Sequence, residues 1–208
     1  MLELRDVKKS YHSKLILKQA SINLEKGIYW IKGPNGSGKT TLLKIIAGLL
    51  PFEGDIVLNE ISQKRMPVLY RQKIGWSEAE PLYPDFIAGR DMLHFYSKVL
   101  RVEKSEVRRF LENFVLGDYI DSKIGTYSAG MLKKLSLVLS FLGNRSLCIL
   151  DEPFITLDAA SFEMICAYIK ERHLRDGTMF LISSHQEMVS QLAVCSKQIV
   201  IDNQSITF

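Results

Sequence analysis

Apolar and polar residues alternate at the start of the chain. Leu2 and Leu4 fall on one side of an extended segment, and Ala20, Ile22 and Leu24 repeat the period of two before Lys26 and Gly27 turn the chain. The short apolar run Ile28-Tyr29-Trp30-Ile31 predicts a buried strand. Leu42, Leu43, Ile45, Ile46 and Leu49 predict a helix ending near Gly48, and residues 54–59 predict another short strand. From about residue 80 to 142 the period becomes helical. Residues 91–100 carry apolar positions three to four apart, and Val107, Phe110, Leu111 and Phe114 form a second stripe with Ser105 as its expected cap. Strand-like runs return at 147–150, 179–182 and 198–201, with a helical segment at 161–174. Short, nearly continuous apolar runs with helix between them read as a parallel sheet covered on both faces. The pattern predicts a β/α core interrupted by a helical insertion.

Composition narrows this only a little. With 208 residues, 47% hydrophobic and 24% charged, the chain has the make-up of one well-buried globular domain. The net charge of +4 is mild and the basic residues are scattered, so charge makes no case for nucleic acid. The sequence holds no apolar stretch of bilayer-spanning length, and the early acids of Met1–Asp6 argue against a signal peptide. Cys148, Cys166 and Cys195 are far apart and form no C-x-x-C pair, which fits small buried residues in a reducing, cytosolic compartment.

Candidate chemistry begins at the first buried strand. Residues 33–40, Gly-Pro-Asn-Gly-Ser-Gly-Lys-Thr, follow it directly and lead into the helix. A strand that turns through glycines into a helix aims backbone N–H groups and the positive helix end at one spot. Such a loop cradles phosphates; Lys39 would reach the β- and γ-phosphates and the Thr40 hydroxyl would hold Mg²⁺. This loop predicts nucleoside triphosphate binding.

A second element supports it. The apolar run 147–150 ends in Asp151 and Glu152, at the strand end where open α/β sheets bind ligands. Asp151 is the expected partner of Thr40 in holding Mg²⁺. Glu152, projecting the other way along the pleat, suits the general base that activates water. His185 follows the 180–182 run through Ser183-Ser184 and would orient that water by a bond to the γ-phosphate.

Tyr127-Ser128-Ala129-Gly130-Met131 opens a helix about twenty residues before the acidic strand, with Ser128 as its natural N-cap. In order after the glycine loop and before Leu150-Asp151-Glu152-Pro153, it resembles the signature motif of ATP-binding cassette (ABC) ATPases. The resemblance covers essentially the whole chain. Residues 33–40 look like the Walker A loop, 147–152 the Walker B strand, Thr156-Leu157-Asp158 the D-loop, and His185 the switch histidine. Tyr11 is similar to the aromatic that stacks on adenine.

The resemblance implies a single domain over 1–208: a P-loop NTPase core with a parallel sheet, an N-terminal antiparallel β subdomain and a helical subdomain at about 80–142. It implies ATP and Mg²⁺ as ligands, with Tyr11, Gly33, Asn35, Gly36, Ser37, Gly38, Lys39, Thr40 and Thr41 on the nucleotide and Thr40 and Asp151 on the metal. Lys39, Glu152 and His185 would carry catalysis. It also implies a head-to-tail pair, homodimer or paired cassette, in which Ser128, Ala129 and Gly130 close over the partner copy's ATP. Some positions depart from the family pattern. No glutamine stands in Ile74–Pro81, so Glu78 or Glu80 is the candidate substitute; Ala129 replaces a glycine, Met131 a glutamine, and Phe154-Ile155 small polar residues.

The reading is an active ATPase subunit of a membrane transporter, similar to compact bacterial exporters. It would dock a separate transmembrane permease through the apolar surface at Trp76, Leu82, Tyr83, Pro84 and Phe86. That places it at the inner face of the cell membrane, attached only through its partner. The alternative is a soluble ABC ATPase of DNA repair or translation. The long coiled coil of the repair members and the second cassette of the translation members are both missing from this sequence. A small P-loop kinase or GTPase would leave the signature word unexplained.

Overall fold

Each short apolar run divides its side chains between two cores, because side chains alternate across a strand. In β3 (Ile28–Lys32), Ile28 and Trp30 enter one cluster while Tyr29 and Ile31 enter the other. The same split holds in β7 (Leu147–Asp151), with Cys148 and Leu150 opposite Leu147 and Ile149. It holds again in β8 (Met179–Ser183), with Phe180 and Ile182 opposite Met179 and Leu181. The computed structural model describes residues 1–12, 14–184, 192 and 196–207.

These strands form the centre of a six-stranded sheet of order β10-β9-β3-β8-β7-β6. Its other members are β6 (Ile74–Ser77), β9 (Ser196–Asp202) and β10 (Ser205–Thr207). All its pairings are parallel except the β9–β10 hairpin. A second sheet, order β2-β1-β4-β5, is antiparallel throughout and comprises β1 (Leu2–Tyr11), β2 (Lys14–Leu24), β4 (Glu53–Leu58) and β5 (Ile61–Ser62). Between the two sheets lies α1 (Lys39–Ile46), whose Leu42, Leu43, Ile45 and Ile46 share a core with Leu2, Leu4, Ile56 and Leu58. A short α2 (Pro67–Gln72) precedes β6.

The other face of the main sheet is covered by helices. Three of them, α3 (Gly89–Leu100), α4 (Lys104–Asn113) and α5 (Ala129–Phe141), lie between β6 and β7. The fourth, α6 (Ala159–Asp176), connects β7 to β8. Phe110, Phe114, Phe141 and Tyr168 pack as one aromatic group with ring centroids 4.7–6.1 Å apart. Among the described residues no helix is long and apolar enough to cross a membrane. Cys148 and Cys166 are buried thiols whose pKa burial pushes up to about 12; Cys195 lies outside the described residues.

Two details differ from expectation. Ser105 does not cap α4. Arg101, left-handed at φ 54°, reverses the chain at the end of α3, and the helix resumes after Glu103, so Ser105 lies inside the first turn. Residues 74–77, for which the sequence predicted no element, form the edge strand β6, paired with Leu147–Leu150. Gly75 makes that pairing possible, since a Cβ there would stand 1.9 Å from the Ser140 carbonyl oxygen. Gly75→Ala is expected to lower the urea-unfolding free energy by about 1–3 kcal/mol through overpacking. Gly117→Ala, where a Cβ meets nothing within 4 Å, should leave it within about 0.5 kcal/mol.

Candidate nucleotide site

The chain leaves β3 through residues 33–38 and enters α1. At Gly33 a Cβ would lie 2.3 Å from the Ile201 carbonyl oxygen, so the loop sits against β9 only because that position is glycine. Gly38, at φ 104°, directly precedes α1 in a conformation that side-chain-bearing residues avoid. Helix α1 has no side-chain cap and no acid in its first turn, which leaves its N–H groups and partial positive charge for an anion. The buried Lys39 side chain folds back over the loop, its Nζ donating to the carbonyls of Gly33 (2.7 Å) and Pro34 (3.1 Å). Burial pulls its pKa down, while Glu152 and Asp151 pull it up. Asn35 and Gly36 are exposed at the loop tip, and Ser37 and Thr41 are half-buried.

The end of β7 lies beside this loop. Thr40 Oγ1 donates to Asp151 Oδ2 at 2.9 Å, joining residues 111 apart in sequence. The other carboxylate oxygen of Asp151 receives a short hydrogen bond from the Ser183 hydroxyl at the end of β8. The main chain of Asp151 is held as well: its carbonyl accepts from Lys133 Nζ on α5 at 3.0 Å. Asp151 is 1% exposed, so these bonds replace water around its carboxylate. A hydroxyl and a carboxylate oxygen fit Mg²⁺, a hard cation that takes few protein ligands and completes its shell with phosphate and water.

Glu152 departs from the pleat. It lies beyond β7 with φ 46°, so a left-handed turn rather than strand alternation sets its direction. Its N–H donates to both the carbonyl (3.2 Å) and the hydroxyl (3.1 Å) of Ser183. Glu152 as a whole is nearly buried, at 7% exposure.

Ser128 caps α5 as its sequence predicts, its Oγ accepting from the Met131 N–H at 3.2 Å. Met131 Sδ accepts in return from the Ser128 N–H at 3.5 Å, a weak thioether version of a capping box. Ser128 and Ala129 are exposed, whereas Gly130 packs so near the Thr156 carbonyl that a Cβ would sit 2.8 Å from it. Lys134, one turn on, pairs with Asp158 at 3.2 Å. Asp158 caps α6 through Ser161, and those hydrogen bonds hold its pKa at about 2. Among the described residues no hydrogen bond or ion pair joins residues 128–130 to the glycine loop.

Tyr11 ends β1, 41% exposed, with Lys9 Nζ 4.6 Å from its ring centroid. Ile16, across the hairpin, lies against Gly38 and brings this end of the sheet to the loop.

A family model described as ABC transporter matches residues 17–155. The cytochrome c biogenesis ATP-binding export protein CcmA of Reclinomonas americana is 34% identical over 184 residues, covering 85% of this chain and 81% of that protein. The lantibiotic transport ATP-binding protein SrtF of Streptococcus pyogenes is 32% identical over 188 residues, covering 89% and 80%. The chain belongs to the ABC transporter family. It is an ATP-binding, ATP-hydrolysing subunit of that family. The fold agrees: an ATP-binding cassette solved as a dimeric post-hydrolysis state with ADP and Pi superposes with a TM-score of 0.84 at 22% identity, over 100% of this chain and 97% of that one.

In this ABC transporter subunit the structure separates Glu78 from Glu80. The Glu78 carboxylate forms an ion pair with Lys44 of α1, whereas Glu80 is exposed. His185 lies outside the described residues. The unusual Phe154 is an anchor, stacked on Trp30 at 5.9 Å and edge-on to Phe162.

Sequence reasoning missed Ser183 and Lys133. Ser183 read only as a link to His185; its signal was a hydroxyl closing an apolar strand beside the strand that ends in Asp151. Lys133 was given no role by the sequence, although it shares a helical stripe with Leu137 and Ser140. Ser183→Ala removes one support of the Asp151 carboxylate and an acceptor of the Glu152 N–H. ATP turnover should fall by about 10- to 100-fold, the range for lost outer-shell partners of a metal ligand, as measured by phosphate release.

Proposed function

We propose that this chain is the ATP-driven subunit of an exporter whose membrane-spanning part is a separate polypeptide. The observation that carries the reading is the Thr40–Asp151 pair beside the uncapped start of α1. Two oxygens suited to a cation beside a helix terminus suited to an anion support binding of a nucleoside triphosphate with Mg²⁺.

In this reading Gly33, Asn35, Gly36, Ser37, Gly38, Thr40 and Thr41 wrap the phosphates, Lys39 neutralises the β- and γ-phosphates, and the Tyr11 ring stacks on adenine. Thr40 and Asp151 hold Mg²⁺, which when bound neutralises charge on the phosphate oxygens. Glu152 accepts a proton from water as its oxygen attacks the γ-phosphorus; the bond from that phosphorus to the bridging oxygen breaks, giving ADP and inorganic phosphate. His185 orients the γ-phosphate and the water.

The exposed Ser128 helix has no phosphate of its own chain to bind, which supports a head-to-tail pair, homodimer or with a second cassette, in which Ser128, Ala129 and Gly130 of one copy cover the ATP of the other. With the γ-phosphate present both helix termini are drawn to one anion, and after hydrolysis that bridge is lost. Leu82 and Phe86, at 89% and 75% exposure, offer the permease an apolar contact, while Trp76 and Tyr83 pack largely inward. The export role named for the cytochrome c biogenesis relative supports outward transport. The subunit would then sit at the inner face of the membrane through its partner, with no nucleic-acid ligand.

Glu152→Gln is expected to keep ATP affinity, slow turnover by about 10²- to 10⁴-fold and accumulate an ATP-dependent dimer by size-exclusion chromatography. Hydrolysis at the wild-type rate would remove Glu152 from the base role. Lys39→Ala should weaken ATP binding by about 1.5–3 kcal/mol, the worth of a hydrogen bond to a charged group; an unchanged calorimetric affinity would contradict the phosphate assignment.

A further inference from the structure

Lys133 is the most buried cation among the described residues whose exposure is given, at 1%. Its ammonium carries three N–H donors and meets three main-chain carbonyls: Glu78 at 2.8 Å, Ala79 at 3.1 Å and Asp151 at 3.0 Å. Among the described residues no ion pair joins it to a carboxylate; Asp151, Glu152 and Glu78 attract it from a distance, against the burial that lowers its pKa. A buried charge is normally neutralised by a paired acid, so a lysine spent wholly on backbone carbonyls has a positional use.

The three carbonyls belong to two places. Glu78 and Ala79 begin the segment that runs from β6 into the helical insertion, and Asp151 ends β7. The Asp151 carbonyl and the Glu152 N–H are two ends of one planar peptide unit. Lys133 holds the oxygen side, and Ser183 holds the N–H side at 3.1–3.2 Å. Glu152 leaves this clamped plane at φ 46°, a torsion that a non-glycine residue keeps only when its surroundings impose it. Lys133 also lies five residues after the Ser128 cap, on the same helix.

We propose that Lys133 is a positioning residue that sets the Asp151–Glu152 peptide plane according to where segment 78–79 lies, so that displacement of the helical insertion turns the Glu152 carboxylate into or out of line for hydrolysis. It acts through the main chain, since its three N–H donors go to carbonyls. If segment 78–79 moves, either the Asp151 carbonyl follows the ammonium or one of the three bonds breaks.

The inference rests on the ATPase reading above, and the test separates the two. Purified wild type, Lys133→Met, Lys133→Gln and Lys133→Arg are compared for kcat, KM, calorimetric ATP affinity (with the Glu152→Gln background to block turnover) and melting temperature. Lys133→Met should lose about 10- to 100-fold in kcat, the cost of a small misplacement of a reacting group, with KM and ATP affinity within about threefold. Lys133→Arg, which keeps charge and donors, should recover most of kcat. If Lys133→Met does not fold, Lys133→Gln, with two N–H donors, should show the same split. An active wild type with kcat unchanged in a folded Lys133→Met overturns the inference alone. So does a parallel fall of kcat and ATP affinity, or the failure of both the Met and Gln variants to fold, since either assigns Lys133 to structure only. A wild type that binds ATP without hydrolysing it overturns the ATPase reading itself.

Discussion

The site depends on how one buried carboxylate is held still. Asp151 is almost inaccessible, yet its side chain and carbonyl are bonded by Thr40, Ser183 and Lys133. Those partners come from α1, β8 and α5, so the residue is a junction of three elements as well as the end of a fourth. A buried polar group left without its hydrogen-bond partner keeps its full desolvation cost. The elements around Asp151 are therefore constrained to arrive together.

The sheet makes that arrival possible. Because β3, β7 and β8 run parallel, their carboxyl ends open on one edge, where Gly33, Asp151 and Ser183 lie side by side. Pleat alternation buries the strands on both faces, so the edge is supported by two cores rather than one. The antiparallel sheet and α1 stiffen the loop from one side. The helices press from the other, and Lys133 and the Glu78–Lys44 ion pair cross between the halves.

The signature segment has a different character. Gly130 is wedged against Thr156, Lys134 is paired with Asp158, and Asp158 caps α6. These contacts tie the start of α5 to the loop after β7, while Ser128 and Ala129 face outward. A helix terminus that is rigidly mounted yet exposed is suited to an anion presented from outside the chain.

Much of this was legible in the residues. Periodicity marked the buried strands and the helical insertion, and the glycine loop, the acidic strand end and the Ser128 cap declared their chemistry through local rules of backbone conformation and capping. Those rules act over a few neighbouring residues, so sequence alone determined the glycine turn into α1 and the family. Three features followed from tertiary contact alone. β6 exists because Gly75 lets a strand pass against the Ser140 carbonyl; Glu78 rather than Glu80 reaches α1; and the 151–152 peptide is clamped by a serine and a lysine. Each is an encounter between residues distant in sequence, and no local pattern encodes which polar group will find which carbonyl once the cores have packed.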